Sequence, residues 1–429
     1  RGKTEGILQI AGCVSSQKTH LMYALGDGFE YRVIVFSSEE KAKQAYEEYK
    51  MLEENTFLYP AKDLLFYHAD IKGAALTGKR MEVLKKLTEK KNREPVTVIT
   101  TADAFLDGLP SKEKLWESRI EIEAGAVIDF QKLQEELVHL GYERESQIEG
   151  PGQFAVRGGI LDVYPLTEEI PVRIELWGDE IDSIRSFDVE SQRSVENMEQ
   201  IVIYPATENV EKEEQAVSFS EYFPKEKSLF FFDEPVRLQE TLEAVEKEYF
   251  HSLESRKNAG MTEEADEIRV FQTKEIIEKF NTRYGIGLTT LETRCGDFKV
   301  RDVYSIQAAG VNPYNNSFEM LTQDLKKLKR QGYRVILVSG SRTRAKRLAE
   351  DLRDYDLSSF YSEDMVRTVR PGEIMVVYGC VAEGYEYPML KFMVISESDI
   401  FGKRKKKRRR KVYEGQKIQE FAELKPGDY

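Results

Sequence analysis

The chain has 429 residues, 41% hydrophobic, 11% aromatic and 32% charged, which suits roughly two to four folded domains and excludes a wholly disordered protein. Its net charge is −13, of which the nine consecutive basic residues Lys403–Lys411 hold +9, so the other 420 residues carry −22 and should on average repel a phosphate backbone. No run of about 18 uncharged apolar residues is present, no leader pattern opens at Arg1, and Cys13, Cys295 and Cys380 are too far apart for a disulfide framework or a paired-cysteine metal site. A reducing cytoplasm is the expected home, with no membrane contact. Four scattered histidines, His20, His68, His139 and His251, give no metal-ligand spacing, so a zinc enzyme is not expected.

In chain order, Gly6–Ala11 reads as a short buried strand, followed by a turn and a helix from about Lys18. Tyr31–Phe36 is a second strand and Ser37–Met51 a charged helix. Thr56–Tyr59 and Val96–Thr100 are further strands, with a helix at about 76–90 between them. Strands alternating with helices predict a parallel sheet covered on both faces. The pattern changes after Glu121. Residues 129–140 predict a short helix with Leu133, Leu137 and Leu140 on one side. Four short strands follow, Phe154–Arg157, Ile160–Tyr164, Val172–Trp177 and Ile181–Phe187, with turn signals at Gly158-Gly159 and Gly178-Asp179. The α/β style returns with a strand at Ser228–Phe232 and helices at 236–257 and 262–281. A second α/β unit from about 312 has helices at 317–331 and 341–353 and strands Tyr333–Val338, Glu373–Val377 and Lys391–Ile395. The expected organisation is a first α/β part (1–120), an inserted α+β module (121–206), the second α/β part (207–310), a small α/β domain (311–402), and a basic linker with the start of another domain (403–429).

Gly12-Cys13-Val14-Ser15-Ser16-Gln17-Lys18-Thr19 has the spacing and the strand-to-helix setting of a phosphate-binding loop, with one change. In such a loop Lys18 would reach the β- and γ-phosphates and Thr19 would hold Mg²⁺, while backbone N–H groups cradle the anion. The glycine that should precede the lysine is Gln17, which denies the backbone its close approach. The apolar strand Leu229–Phe232 ends in Asp233-Glu234, the pair that in ATPases organises Mg²⁺ and polarises water. The loop therefore reads as a degenerate nucleotide site kept as scaffold; an ATPase using Lys18, Thr19, Asp233 and Glu234 is the alternative.

The segments GPGQFAVRGGILDVYP (150–165), PVRIELW (171–177) and DEIDSIRSFD (179–188) resemble the interaction domain shared by the excinuclease B subunit and the bacterial transcription-repair coupling factor. The excinuclease subunit has an intact phosphate loop and a long tyrosine-rich hairpin that probes DNA. Here the loop is broken, and only twenty residues separate Tyr59 from Arg80. Both absences resemble the coupling factor, as do EGYEYP (383–388), SESDIF (396–401) and LKPGDY (424–429), the last similar to the start of an RNA-polymerase-interacting domain. The resemblance implies a multidomain α/β protein, with degenerate RecA/helicase-like parallel-sheet domains around the inserted α+β module. It implies that this is the N-terminal part of a longer protein that uses ATP and Mg²⁺ to move on duplex DNA and to dislodge stalled RNA polymerase. The motor, and hence the ATP and Mg²⁺, would lie outside this chain, which would need no cofactor itself.

Strand alternation puts Val172, Ile174 and Leu176 on one face and Arg173, Glu175 and Trp177 on the other, and tryptophan and arginine are enriched at binding hot spots. The resemblance places contacts to the excinuclease A subunit at Arg157, Arg173 and Trp177, where the family often has phenylalanine at the last. Read from the strand pattern alone, Trp177 could instead pack on a neighbouring domain and Arg173 could pair with Glu175 or Glu180. Arg185 and Phe187 are weaker candidates. Lys403–Lys411 reads as a linker with incidental DNA affinity. Ser339-Gly340-Ser341 superficially resembles an anion site but lacks the lysine. Cys13, near a helix start, is a conceivable low-pKa thiol. A damaged-DNA-binding role is opposed by the missing hairpin and the acidic body.

Overall fold

The computed structural model describes residues 6–64, 73–89, 94–208, 215–258, 269–364 and 367–402. The basic run Lys403–Lys411 and the LKPGDY segment lie outside them.

The first sheet has seven parallel strands in the order Val300–Ser305, Ile7–Ala11, Tyr284–Thr289, Ser228–Asp233, Tyr31–Phe36, Val96–Thr101 and Thr56–Tyr59. Its central strands are apolar on both faces because helices cover both. Val33, Val35, Phe230 and Phe232 enter one core; Ile34, Phe36, Leu229 and Phe231 enter the other. The strand Tyr284–Thr289 escaped the sequence reading because Gly285 and Gly287 dilute its β signal. Packing demands both glycines. A Cβ on Gly285 would come within 2.7 Å of an Ile7 methyl, and one on Gly287 would meet Ile7 and Pro235 at 3.0 Å. The helix expected over 262–281 is helical only at Thr273–Asn281. Residues 269–272 run extended instead, with Phe271 N–H bonded to Leu106 O at 2.7 Å, and 259–268 lie outside the described residues.

Residues 120–203 form an antiparallel unit. Strands Gln153–Arg157, Ile160–Val163, Val172–Trp177, Glu180–Phe187 and Ser194–Met198 pair in sequence, and Glu143–Glu145 joins one edge in parallel. One face packs on helix Phe130–His139 through Leu133, Leu137 and Leu140 as expected, against Phe154, Leu161, Ile174 and Ile184. A ribbon of Ile120–Glu123 and Gln200–Ile203 closes the unit. The last sheet, six strands built mainly from Arg334–Ser339, Ile374–Tyr378, Phe392–Ser396 and Ser359–Ser362, is parallel at its centre and ends in the antiparallel strands Tyr385–Tyr387 and Ala309–Gly310. In it the two segments 383–388 and 396–401 meet: the Asp399 carboxylate accepts from the Gly384 N–H at 2.8 Å and from the Ser396 hydroxyl at 2.7 Å.

A buried charge cluster holds the first α/β part together, and the partly exposed Lys85–Glu168 pair links that part to the antiparallel unit. Arg80, on helix Gly73–Thr88, is fully buried. It donates to Glu208 at 2.8 Å and to the Pro60 carbonyl at 2.9 Å, and pairs with Asp107. Its guanidinium lies 4.5 Å from the Tyr59 ring centre. Lys62 adds a contact to Glu208 at 2.7 Å, and Lys85 reaches Glu168 at 2.9 Å. Burial pushes the Glu208 carboxyl up, but Arg80 and Lys62 outweigh it and hold it below the ordinary range. Removing one member of a buried pair leaves an uncompensated charge, at about 3–5 kcal/mol. Arg80→Met should therefore destabilise the chain by about that amount at pH 7 in denaturant titrations. In the variant Glu208 would keep Lys62, but Asp107 would lose its guanidinium partner and, being buried, would have a folded pKa above its unfolded one, so the folded state would bind more protons. Part of the lost stability should return as the pH falls towards 5; a loss independent of pH would contradict this account.

Candidate partner-binding face and the degenerate phosphate loop

Strand Ile7–Ala11 leads into Gly12, which is left-handed (φ 83°); a Cβ there would lie 2.1 Å from the Ile306 carbonyl oxygen. Helix Gln17–Leu25 follows, so the strand–loop–helix setting expected from the sequence is present. The groups that would serve a nucleotide are engaged elsewhere. Gln17 is fully buried; its Oε1 accepts the Val14 N–H at 3.1 Å, and its Nε2 donates to the Tyr387 hydroxyl at 3.1 Å. The side chain that replaced glycine thus takes one of the loop amides. Lys18 Nζ donates to Asp233 Oδ1 at 2.6 Å and to Glu234 Oε1 at 2.7 Å, and Lys41 reaches Asp233 Oδ2 at 3.1 Å. Burial works against the Lys18 charge, but the two carboxylates outweigh it and raise its pKa. Glu234 also accepts from the Thr290 hydroxyl at 2.7 Å, and its carboxyl is held below the usual range by Lys18 despite burial.

Residues 382–387 of the last sheet's unit cover this loop. The Ser16 hydroxyl donates to Glu48 at 2.7 Å, Glu48 also accepts the Ala382 N–H at 2.9 Å, and the Glu383 N–H donates to Ser16 Oγ at 3.2 Å. Ser15 Oγ donates to the Glu383 carboxylate. His20 Nδ1 lies 3.1 Å from the Tyr387 hydroxyl. An incoming phosphate would meet Glu48 and Glu383 on one side and a neutralised lysine on the other. Cys13 is not the activated thiol its position allowed: it is buried, and loss of water pushes its pKa up to about 12 despite Lys18. At the 339–341 turn the Glu397 carboxylate accepts from Ser339 Oγ and the Gly340 N–H, both at 2.9 Å, and pairs with Arg344. The protein's own carboxylate fills that helix start.

The second candidate is the face of the antiparallel unit away from its helix. Register places Asp162 opposite Arg173, and Arg173 opposite Arg185. Asp162 is buried. It accepts Arg173 Nε at 2.6 Å and Nη2 at 2.9 Å, and Arg157 Nη2 at 2.6 Å. Arg173 also donates to Gln192 at 2.9 Å and lies 4.4 Å above the buried Phe187 ring. Its side chain is only 15% exposed, against 48% for Arg157. Trp177 is 84% exposed and Val172 and Ile174 are buried, as alternation requires, while Leu176 is half-buried. Among the described residues no neighbouring domain covers the tryptophan. Arg173 pairs with Asp162 rather than with Glu175 or Glu180, and Glu175 instead pairs with Arg185. Sequence reasoning missed Asp162 and Gln192. The period-two pattern of Ile160–Val163 could have exposed Asp162, since it separates an acid from the apolar Leu161 and Val163.

Residues 120–209 match the UvrB interaction domain family. The chain is also similar to the transcription-repair-coupling factor of Bacillus subtilis (strain 168), at 25% identity over 87% of this chain and 36% of that protein. The factor of Staphylococcus aureus (strain USA300) is 26% identical over 88% of this chain. The chain spans about a third of the length of these relatives. Residues 120–209 thus match a UvrB interaction domain, and most of the chain around them is similar to part of the transcription-repair-coupling factors.

Proposed function

We propose that this chain is a non-catalytic docking region that binds the excinuclease A subunit through Arg157, Arg173 and Trp177, and so brings excision-repair proteins to stalled RNA polymerase. The observation that carries the reading is Trp177, fully offered to solvent on the same face as two arginines organised by one buried carboxylate. Movement on duplex DNA, ATP hydrolysis with Mg²⁺ and contact with RNA polymerase belong, in this reading, to the remainder of the longer protein. Nucleotide is not bound here, because the loop's lysine, amide and hydroxyl groups are engaged by protein partners.

Titrating the excinuclease A subunit into the full chain tests the docking role. Trp177→Ala opens no cavity and should melt like the parent. As a hot-spot truncation it should weaken binding by about 2 kcal/mol, roughly thirtyfold. Ile174→Ala should instead cost about 2–5 kcal/mol of stability. Equal binding by Trp177→Ala and parent would place the partner surface elsewhere.

ATP binding and turnover should be absent, and Gln17→Gly should restore neither, since Glu48, Glu383 and the Lys18–Asp233–Glu234 cluster remain. Lys18→Ala should lower stability by leaving Glu234 without its cation and the buried Asp233 with only the partly exposed Lys41. ATP turnover in the parent that Lys18→Ala abolishes would overturn this part of the reading.

A further inference from the structure

We propose that the partner face continues across the hairpin tip onto residues 125–128, where Val127, Glu180 and Trp177 form one contact strip that receives a cationic side chain flanked by apolar surface on the excinuclease A subunit. This rests on the docking role given above and adds to it the residues and the chemistry of the contact.

The strip follows from register. Glu180 pairs with Trp177 across the hairpin, and Val127 pairs with Glu180 in an antiparallel bridge. Directly opposed residues of antiparallel strands point to the same face, so the three side chains form a row: apolar, acidic, apolar. The 125–128 segment is held firmly. The Gly125 N–H donates to Ile181 O at 2.8 Å, the Ile181 N–H to Ala126 O at 2.9 Å and the Ile128 N–H to Asp179 O at 2.8 Å. Ala126 and Ile128 pack on the unit's core, and alternation turns Val127 away from it, leaving it 76% exposed. Val127 thus contributes nothing to packing, and neither does Trp177 at the other end of the row.

Glu180 has no hydrogen-bond or ion-pair partner among the described residues, unlike Glu175 on the same face, which Arg185 neutralises. An open carboxylate between two exposed apolar groups calls for a lysine or arginine whose surroundings cover the valine and the indole; the indole face also favours a cation. The strip runs directly into the surface that carries Arg157 and Arg173.

The test is calorimetric titration of the full chain with purified excinuclease A subunit, at two salt concentrations, beside thermal melting. Val127→Ser should melt like the parent and weaken binding roughly fivefold or more. Glu180→Lys should weaken it further by placing like charges together, and Glu180→Gln should flatten the salt dependence. Trp177→Ala separates the two levels of the argument. If it weakens binding while the Val127 and Glu180 variants bind like the parent, the docking role stands and the extension is wrong. If Trp177→Ala also binds like the parent, the docking face itself is misplaced and the extension falls with it.

Discussion

A parallel sheet must be covered on both faces, whereas an antiparallel one can leave a face in water. This difference decides where the chain can meet a partner. The seven-stranded sheet is sealed between two cores, so its chemistry is confined to the loops at the strand ends, including the former phosphate loop. The antiparallel unit packs one face on a single helix; the other carries the small buried cluster of Ile148, Ala155 and Phe187 and keeps Arg157 and Trp177 in water. Every side chain proposed for docking lies on that second face or at its hairpin edge.

The Gly12–Thr19 loop has the strand-to-helix setting of a phosphate loop, while its polar groups have protein partners. A loop shaped for an anion contains amides and hydroxyls that must be satisfied once the anion is gone. Here Gln17 satisfies an amide from within. Glu48 and Glu383 engage the hydroxyls, and Asp233 and Glu234 hold the lysine. The Gln17 side chain also reaches Tyr387, so the residue that breaks the phosphate motif helps hold the two α/β units together.

Much of this was legible in the sequence. Continuous apolar runs such as Tyr31–Phe36 and Ser228–Asp233 marked the central strands, and the leucine spacing over 130–140 marked the helix beneath the docking sheet. The alternation in Val172–Trp177 predicted the exposed tryptophan. What stayed hidden depends on tertiary contacts. Tyr284–Thr289 is a strand because Ile7 and Phe232 leave room there only for glycine. The partner of Arg173 depends on strand register, which sequence spacing to Glu175 or Glu180 could not reveal.

The two arginines also divide their labour. Arg173 spends its hydrogen bonds on Asp162 and Gln192, stacks on Phe187 and shows little surface, so its rotamer is fixed before any partner arrives. Arg157 makes a single bond to the same carboxylate and keeps half its side chain in water. Removing Arg173 would leave Asp162 buried with one cation instead of two and would loosen the ground on which Arg157 stands. Preorganisation of this kind lowers the ordering cost of association. In the proposed docking face Arg173 would be the contact already held in place by Asp162, while Arg157 and Trp177 would offer more of the exposed surface.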